Sequence, residues 1–339
     1  MADPYSAAEG LVRVYPAREP RGTGLVWAHG GGFAAGDLDM PEADWVARSI
    51  AARGTTVVSI DYRLAPTPAE WTPDGATRPG HRFPAGSDDV LAAWSWTVDN
   101  AARLRIDPAR IAIGGASAGA NLVTGAVLRM PSAGDATLPA LVVLAYPTLL
   151  AEQPAPGPDL RALLDADPEA DHFGPDAVLG MYENYLGGPV AGAPLAAIPG
   201  LATPDDLADF PPTLMINGEV DELRVSGEHF AATLATAGRD IETVVEPGTT
   251  HGHLNRPAEA AASLSIDRIA ARLAALPTAF SARPLSSSTP ARPRQDVGAP
   301  AAHPQDAAAE LTTTPAPPRQ HAGAASVHSH IAAGEPTSL

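Results

Sequence analysis

Between residues 24 and 276 the chain alternates short apolar runs with longer segments in which apolar and polar residues mix at helical spacing. The apolar runs are rich in aliphatic and β-branched residues and are bounded by Gly, Pro or Asp, which is typical of buried strands. They lie at 24–28, 55–60, 111–114, 141–145, 213–216 and 241–246. Helix candidates lie at 42–53, 86–103, 119–130, 222–237 and 258–276. This alternation predicts an α/β fold whose mostly parallel central sheet is flanked by helices.

Three stretches depart from this alternation. Residues 149–210, rich in Pro, Gly, Ala and Asp, are too long for a simple crossover and are predicted to be an inserted lid, with a helix at 176–186. Residues 66–83 are predicted to be a surface loop. After residue 280 the composition shifts to small and polar residues that bury too little surface to offset ordering entropy. We therefore expect one folded α/β domain over 1–280 and a disordered tail over 281–339.

Composition excludes several classes of function. The formal net charge of −17, with arginine as the only strongly basic residue type, argues against a nucleic-acid partner. Cysteine is absent, so disulfides and thiol chemistry are excluded. Neither a signal peptide nor a membrane-spanning apolar run is recognisable, which favours a cytoplasmic protein without membrane contact. A homodimer is possible, although nothing in the sequence tests it.

A motif for nucleophilic catalysis lies at residues 115–119 (GASAG), between the predicted strand 111–114 and the predicted helix 119–130. A G-x-S-x-G motif in this context is typical of the nucleophile elbow, where small neighbours let strand and helix pass closely. The helix N-terminus also supplies backbone N–H groups and a positive dipole end. Ser117 is therefore the predicted nucleophile. The alternative is a turn of small residues with an incidental serine.

Consecutive glycines follow the first predicted strand, in HGGGF at 29–33. The tetrahedral intermediate of acyl transfer carries a negative oxygen that needs preorganised donors. Glycine lets the backbone approach a substrate closely. We expect the N–H groups of Gly31, Gly32 and Ala118 to form the oxyanion hole. A flexible turn is the alternative, and a phosphate-binding loop is not favoured because the pattern that ends in lysine is absent.

Further motifs occur at 61–66 (DYRLAP), 83–90 (FPAGSDDV), 114–122 (GGASAGANL), 218–224 (GEVDELR) and 251–252 (HG). With HGGGF, in this order and spacing, they make the sequence resemble the hormone-sensitive-lipase-like carboxylesterases of bacteria over roughly 24–276. The resemblance implies the α/β-hydrolase fold and hydrolysis of small acyl esters by a Ser–Asp–His triad, without metal or cofactor. His321, His328 and His330 in the predicted tail lack supporting ligands and are not expected to bind metal.

The sequence departs from the family pattern in three places. Ala116 and Ala120 replace an Asp and a Gly of the usual elbow, which changes local hydrogen bonding without touching the predicted role of Ser117. Thr67 replaces the Glu that ends the YRLAPE segment, and a long loop follows it. The HGGG loop comes as early as residue 29, so we expect a shortened N-terminal cap. A truncated gene model is the alternative.

The triad of this fold follows the chain order Ser, acid, His. Asp221 comes shortly after the predicted strand 213–216 and matches the family's G-x-x-D-x-L pattern, so it is the predicted acid, with Glu219 as competitor. His251 follows the last predicted strand and is the predicted general base, with His253 as competitor. Other candidates are given structural roles: His29 as an anchor of its own loop, His229 as a helix position, and Asp205, Asp206 and Asp209 as capping or solvated residues near the lid's end.

Six residues are predicted to wall an acyl pocket, four of them in the lid: Phe33, Tyr146, Phe173, Met181, Tyr182 and Tyr185. For each of them ordinary packing is the alternative. The leading interpretation is a serine carboxylesterase for short acyl esters. An arylformamidase or acyltransferase with the same triad is the second, because an acyl-enzyme accepts any nucleophile that reaches it. The third is a non-catalytic binding protein of the hydrolase fold, which is disfavoured because such proteins typically lose a triad member.

Overall fold

The computed structural model describes residues 3–130 and 137–278. Its strands are β1 Tyr5–Ala7, β2 Val12–Tyr15, β3 Gly22–Ala28, β4 Thr55–Ile60, β5 Ile106–Ala116, β6 Val142–Ala145, β7 Thr213–Val220 and β8 Ile241–Thr250. Its α-helices are α1 Asp44–Ala51, α2 Ala85–Asp99, α3 Ala101–Leu104, α4 Ala118–Arg129, α5 Pro158–Ala166, α6 Pro175–Leu186, α7 Arg224–Thr236 and α8 Ala260–Ala274. The predicted tail at 281–339 lies outside the described residues.

The strands form one sheet in the order β1-β2-β4-β3-β5-β6-β7-β8. From β4 to β8 all neighbours pair in parallel, whereas β1 and β2 pair antiparallel at one edge. The predicted mostly parallel sheet with flanking helices is therefore confirmed. Because the carboxyl ends of parallel strands share one edge, the loops that follow β3, β5, β7 and β8 can meet there.

Both faces of the sheet are covered, and the alternation of side chains along each strand explains how. On β3, Val26 and Ala28 face a core shared with α2, α4 and α7, while Leu25 and Trp27 face a second core shared with α1 and α8. Strands buried on both faces read as continuous apolar runs, which is why most of them are recognisable in the sequence.

The structure corrects the predicted elements in several places. Strands β1 and β2 and helix α5 were not predicted, and the predicted helix 86–103 is divided into α2 and α3 at Asn100. The predicted lid at 149–210 contains α5 and α6, and the predicted surface loop at 66–83 carries one antiparallel bridge between Thr67 and Arg78. No helix in the described ranges is long and apolar enough to cross a membrane.

Candidate active site

Ser117 occupies a sharp turn between β5 and α4. Its φ of 51° lies in the left-handed region that serine rarely adopts, and its carbonyl accepts hydrogen bonds from the N–H groups of Ala120 and Asn121. A side chain on Gly119 would overlap the carbonyl oxygen of His29, and a Cβ on Gly115 would lie 2.6 Å from the Gly119 carbonyl. Small residues are thus required where strand, helix and HGGG loop cross, which is the steric basis of the elbow motif.

His251 lies between Ser117 and Asp221. Its Nε2 is 2.9 Å from Ser117 Oγ, and its Nδ1 is 2.9 Å from Asp221 Oδ2. Asp221 is fully buried, and its other oxygen accepts the Leu223 N–H at 2.9 Å. Ser117 is 134 positions and Asp221 is 30 positions before His251 in the chain. The three side chains nevertheless form one hydrogen-bonded line from hydroxyl to imidazole to carboxylate. This arrangement can deprotonate a serine hydroxyl.

The two competing residues are turned to other partners. Glu219 Oε2 accepts the N–H of Gly248 at 2.7 Å. His253 is fully buried with its Nε2 2.8 Å from Ser265 Oγ, and burial lowers the pKa of His253 to about 4. Among the hydrogen bonds of residues 3–130 and 137–278, neither bonds to Ser117. The structure thus brings together the three residues predicted for the triad and turns both competitors to other partners.

The residues predicted to have structural roles have contacts and exposures that fit those roles. His29 is buried, stacks on Tyr62 with ring centroids 4.6 Å apart and has its Nδ1 2.7 Å from the Gly30 carbonyl oxygen. Burial lowers the pKa of His29, which favours its neutral form. His229 is exposed on α7, and Asp206 accepts the N–H and hydroxyl of Thr203 as a local cap. Asp205 and Asp209 are exposed beside it.

The HGGG loop has three consecutive residues with positive φ: Gly31 at 123°, Gly32 at 56° and Phe33 at 66°. A side chain on Gly31 would overlap the Ala35 carbonyl, so this position requires glycine. Within residues 3–130 and 137–278, nothing accepts a hydrogen bond from the N–H of Gly31, Gly32 or Ala118. Three unpaired donors on a loop and a helix start beside Ser117 suit an oxyanion.

Five of the six predicted pocket residues form two groups, and Tyr146 lies apart from both. Phe173 and Met181 lie beside the reacting groups: the Phe173 ring meets His251 edge-on at 4.6 Å, and a Cβ on Gly32 would lie 3.2 Å from Met181 Sδ. Phe33, Tyr182 and Tyr185 form a buried aromatic cluster in which Phe33 stacks on Tyr185 at 4.1 Å. Tyr182 is further fixed by hydrogen bonds with Asn121 and Thr148, typical of a packed wall. Tyr146 is buried with its ring against His251 and its hydroxyl directed to Glu42.

A carboxyl pair that was not predicted from the sequence joins the predicted lid to the loop that carries Asp221. Glu222 follows Asp221 directly, and its Oε2 accepts the N–H of Phe173 at 2.5 Å. The neighbouring carboxylate of Asp171 accepts hydrogen bonds from Arg161, and this guanidinium lowers the pKa of Asp171 below its usual range. Burial, and then the Asp171 carboxylate, raise the pKa of Glu222 to about 7. No sequence motif marks Asp171, and Glu222 stands at the start of the predicted helix 222–237, so the pair was not predicted.

Replacing Glu222 by Gln is expected to stabilise the protein in a pH-dependent way. With a folded pKa of about 7 and an ordinary value of 4.5, the folded state binds a proton between these values that the unfolded state releases. Wild-type stability therefore falls as pH rises through this window, and glutamine removes the loss. We expect the melting temperature of the variant to exceed that of wild type by roughly 2–4 °C at pH 8, with a smaller difference at pH 5.

The control for this prediction is Glu228→Gln on α7. Glu228 has 44% of its side chain exposed and pairs with Arg224 four residues earlier, an arrangement that contributes little to stability. A gain of equal size at both pH values in Glu222→Gln, or the same pH-dependent gain in the control, would contradict the assignment.

Comparison with known proteins agrees with this geometry. A family model described as the alpha/beta hydrolase fold matches residues 25–255 of the chain. The chain belongs to this family. The resemblance to hormone-sensitive-lipase-like carboxylesterases is likewise confirmed by relatives of the same kind.

The relatives of this alpha/beta hydrolase include curated bacterial esterases. It is 37% identical over 234 residues to carboxylesterase NlhH of Mycobacterium tuberculosis, covering 68% of this chain and 66% of the relative. It is 31% identical over 248 residues to ethyl acetate hydrolase of Pseudomonas putida, covering 71% and 70%. The hyperthermophilic esterase structure from the archaeon Pyrobaculum calidifontis matches with a TM-score of 0.67 and 30% identity, covering 81% and 86%. The chain thus spans about two thirds of the curated relatives' length.

Proposed function

We propose that this protein is a serine carboxylesterase that hydrolyses short-chain acyl esters through an acyl-enzyme on Ser117. The observation that carries the proposal is the pair of hydrogen bonds that join Ser117 Oγ to His251 Nε2 and His251 Nδ1 to Asp221 Oδ2, each 2.9 Å long. The names of the relatives, a carboxylesterase and an ethyl acetate hydrolase, support the same reaction class. A cytoplasmic location and a homodimer remain predictions of the sequence.

The proposed reaction has two halves. Ser117 Oγ attacks the ester carbonyl carbon while His251 Nε2 takes the hydroxyl proton, and the oxyanion that forms is held by the N–H groups of Gly31, Gly32 and Ala118. Collapse of this intermediate breaks the bond to the alcohol oxygen, which leaves with the proton from His251. In the second half water gives its proton to His251 and attacks the acyl carbon, which releases the acid and restores Ser117. Asp221 orients the imidazole and stabilises its charged form.

The small-substrate part of the proposal rests on the packing around the HGGG loop. The aromatic cluster behind Phe33 is buried, and Met181 covers Gly32 from the lid helix α6. We expect kcat/KM for p-nitrophenyl esters to fall as the acyl chain lengthens from two to twelve carbons. A preference for the long chains would overturn this part. Faster turnover of N-formylkynurenine than of any ester would instead favour the arylformamidase.

Shortening Met181 tests which side chain limits the acyl chain. In Met181→Ala the thioether that fills the space over Gly32 is removed, so room for about two more methylene groups is expected. Two methylenes buried at ~0.8 kcal/mol each would raise the ratio of kcat/KM for octanoate to that for butanoate by about tenfold. The matched control is Met130→Ala, because Met130 is also 8% exposed but lies beyond the far end of α4. An unchanged ratio in Met181→Ala would place the limiting wall elsewhere.

A further inference from the structure

Glu42 is a buried carboxylate with three hydrogen-bond donors. It is 1% exposed, and its Oε2 accepts the N–H of Gly30 at 2.5 Å. Its Oε1 accepts the Tyr146 hydroxyl at 2.5 Å and the Asn255 amide at 3.1 Å. The Asn255 side chain also accepts the backbone N–H of Glu42 at 3.1 Å. A buried charge is costly unless it is well paired, so a carboxylate surrounded by three donors calls for an explanation.

Each of the three donors belongs to a segment of the active site. Gly30 precedes the two glycines of the oxyanion loop, and a Cβ on it would lie 2.7 Å from Glu42 Oε2 and 3.0 Å from Ser117 Cβ. The ring of Tyr146 meets His251 edge-on with centroids 5.0 Å apart. Asn255 lies four residues after His251 in the same loop. One carboxylate therefore lies behind the nucleophile and connects the oxyanion loop, the end of β6 and the histidine loop.

The donor set identifies the protonation state that fits this position. Burial raises the pKa of Glu42, whereas the hydroxyl of Tyr146, the N–H of Gly30 and the positive form of His251 oppose that rise. All three partners offer protons to the two oxygens, so the ionised carboxylate is satisfied and an amide in its place would set an N–H against a donor. Glutamine at this position is thus a sensitive probe of the charge.

We propose that Glu42 is a positioning residue of the esterase reaction, which fixes the oxyanion loop and the His251 loop together and supplies a second negative charge that favours protonated His251. The inference rests on the proposed function. Its physical basis is that oxyanion donors act only when they are held in place before the charge develops. A carboxylate shared between the two loops removes their independent motion.

His251 is surrounded by several charged or titratable groups besides Ser117. Asp221 faces Nδ1, Glu42 lies beyond the Tyr146 ring, and Glu222 lies beyond Phe173. His253 packs on the same Tyr146 ring, and the guanidinium of Arg256 donates to the His251 carbonyl at 3.1 Å. Among these, Glu42 alone also contacts the oxyanion loop, so its removal is expected to change positioning and charge at once.

The decisive experiment measures kcat and KM for p-nitrophenyl acetate against pH in wild type, Glu42→Gln and Glu42→Asp. We expect Glu42→Gln to lower kcat about 10- to 100-fold with KM within threefold, because the reacting geometry is lost rather than substrate binding. The acid limb of its pH profile should move to lower pH by roughly half a unit, because the imidazolium of His251 loses a negative charge that stabilises it. Glu42→Asp keeps the charge and should restore the acid limb, even where kcat stays reduced.

The matched control is Glu246→Gln. Glu246 is also 1% exposed and is held by Ser265 and Arg268, so its replacement removes a buried carboxylate of comparable burial, yet the acid limb should stay in place. A folded Glu42→Gln with wild-type kcat, or a loss of kcat with an unmoved acid limb, overturns the inference.

A second variant keeps the test decisive if Glu42→Gln does not fold. Tyr146→Phe removes one donor to Glu42 and keeps the ring against His251, and it should lower kcat threefold or more at constant KM; wild-type kcat in this variant overturns the inference. The proposed function fails separately, through wild-type hydrolysis that survives in Ser117→Ala.

Discussion

Ser117→Ala is expected to lower kcat for p-nitrophenyl acetate by about 10⁴-fold or more while leaving the fold intact. Ser117 Oγ is the only side-chain oxygen bonded to His251 Nε2 within residues 3–130 and 137–278, so alanine leaves the base without a nucleophile to activate. The side chain is 8% exposed and alanine fits the elbow sterically, since its neighbours are alanine and glycine. Only oxyanion stabilisation and binding remain to assist attack by water.

Two measurements check this expectation. Steady-state hydrolysis gives the loss of kcat. Intact-mass detection of a fluorophosphonate adduct in wild type, and its loss in Ser117→Ala, reports whether residue 117 is the labelled site. The control is Ser59→Ala on β4, because Ser59 is fully buried and its hydroxyl has no hydrogen-bond partner among the described residues. Activity that survives in Ser117→Ala would overturn the assignment of Ser117 as nucleophile. A folded wild type that takes up no label would return the non-catalytic binding protein to consideration.

Asp221→Asn is expected to lower kcat by about 10³- to 10⁴-fold near neutral pH. Asp221 Oδ2 receives the Nδ1 proton of His251, which leaves Nε2 free to accept the serine proton. An asparagine can place its N–H₂ against Nδ1 and so favour the tautomer that has its proton on Nε2, which cannot act as a base toward Ser117. The buried carboxylate that stabilises the charged imidazole is lost at the same time.

The control for the acid is Glu219→Gln, because Glu219 is two residues away in the chain and was the competing candidate. Its carboxylate accepts the N–H of Gly248. Replacing it by glutamine is therefore expected to leave kcat within threefold of wild type. Equal losses in the two variants would remove Asp221 from its assigned role. Melting temperatures of both variants distinguish a catalytic loss from unfolding.

Much of the fold could be predicted because local sequence determines it. Six of the eight strands were expected, and 55–60 coincides with β4, since strands buried on both faces are continuous apolar runs. Strand β1 was missed because it has three mostly exposed residues, and β2 because a strand of four residues is too short to recognise in the sequence. The break at Asn100 depends on the bond from its side chain to the Trp96 carbonyl, which hydrophobic spacing does not reveal.

The site could be predicted as far as its groups lie in short motifs. Ser117, Asp221 and His251 each follow a strand, and chain order together with the family motifs singled them out from Glu219 and His253. Glu42 was read as the start of the predicted helix 42–53, because its partners are 12, 104 and 213 positions away. Long-range polar contacts of this kind form only when the chain is packed. No local motif in the sequence indicates them.

The distribution of the triad along the chain has a consequence for synthesis on the ribosome. Ser117 is made early, but His251, the base proposed for it, lies 134 residues later, directly after β8. A growing chain that ends before His251 carries only an ordinary hydroxyl, whose attack on esters is negligible without a base. The reactive centre therefore comes into being only when β8 has paired with β7 and brought its loop to the sheet edge.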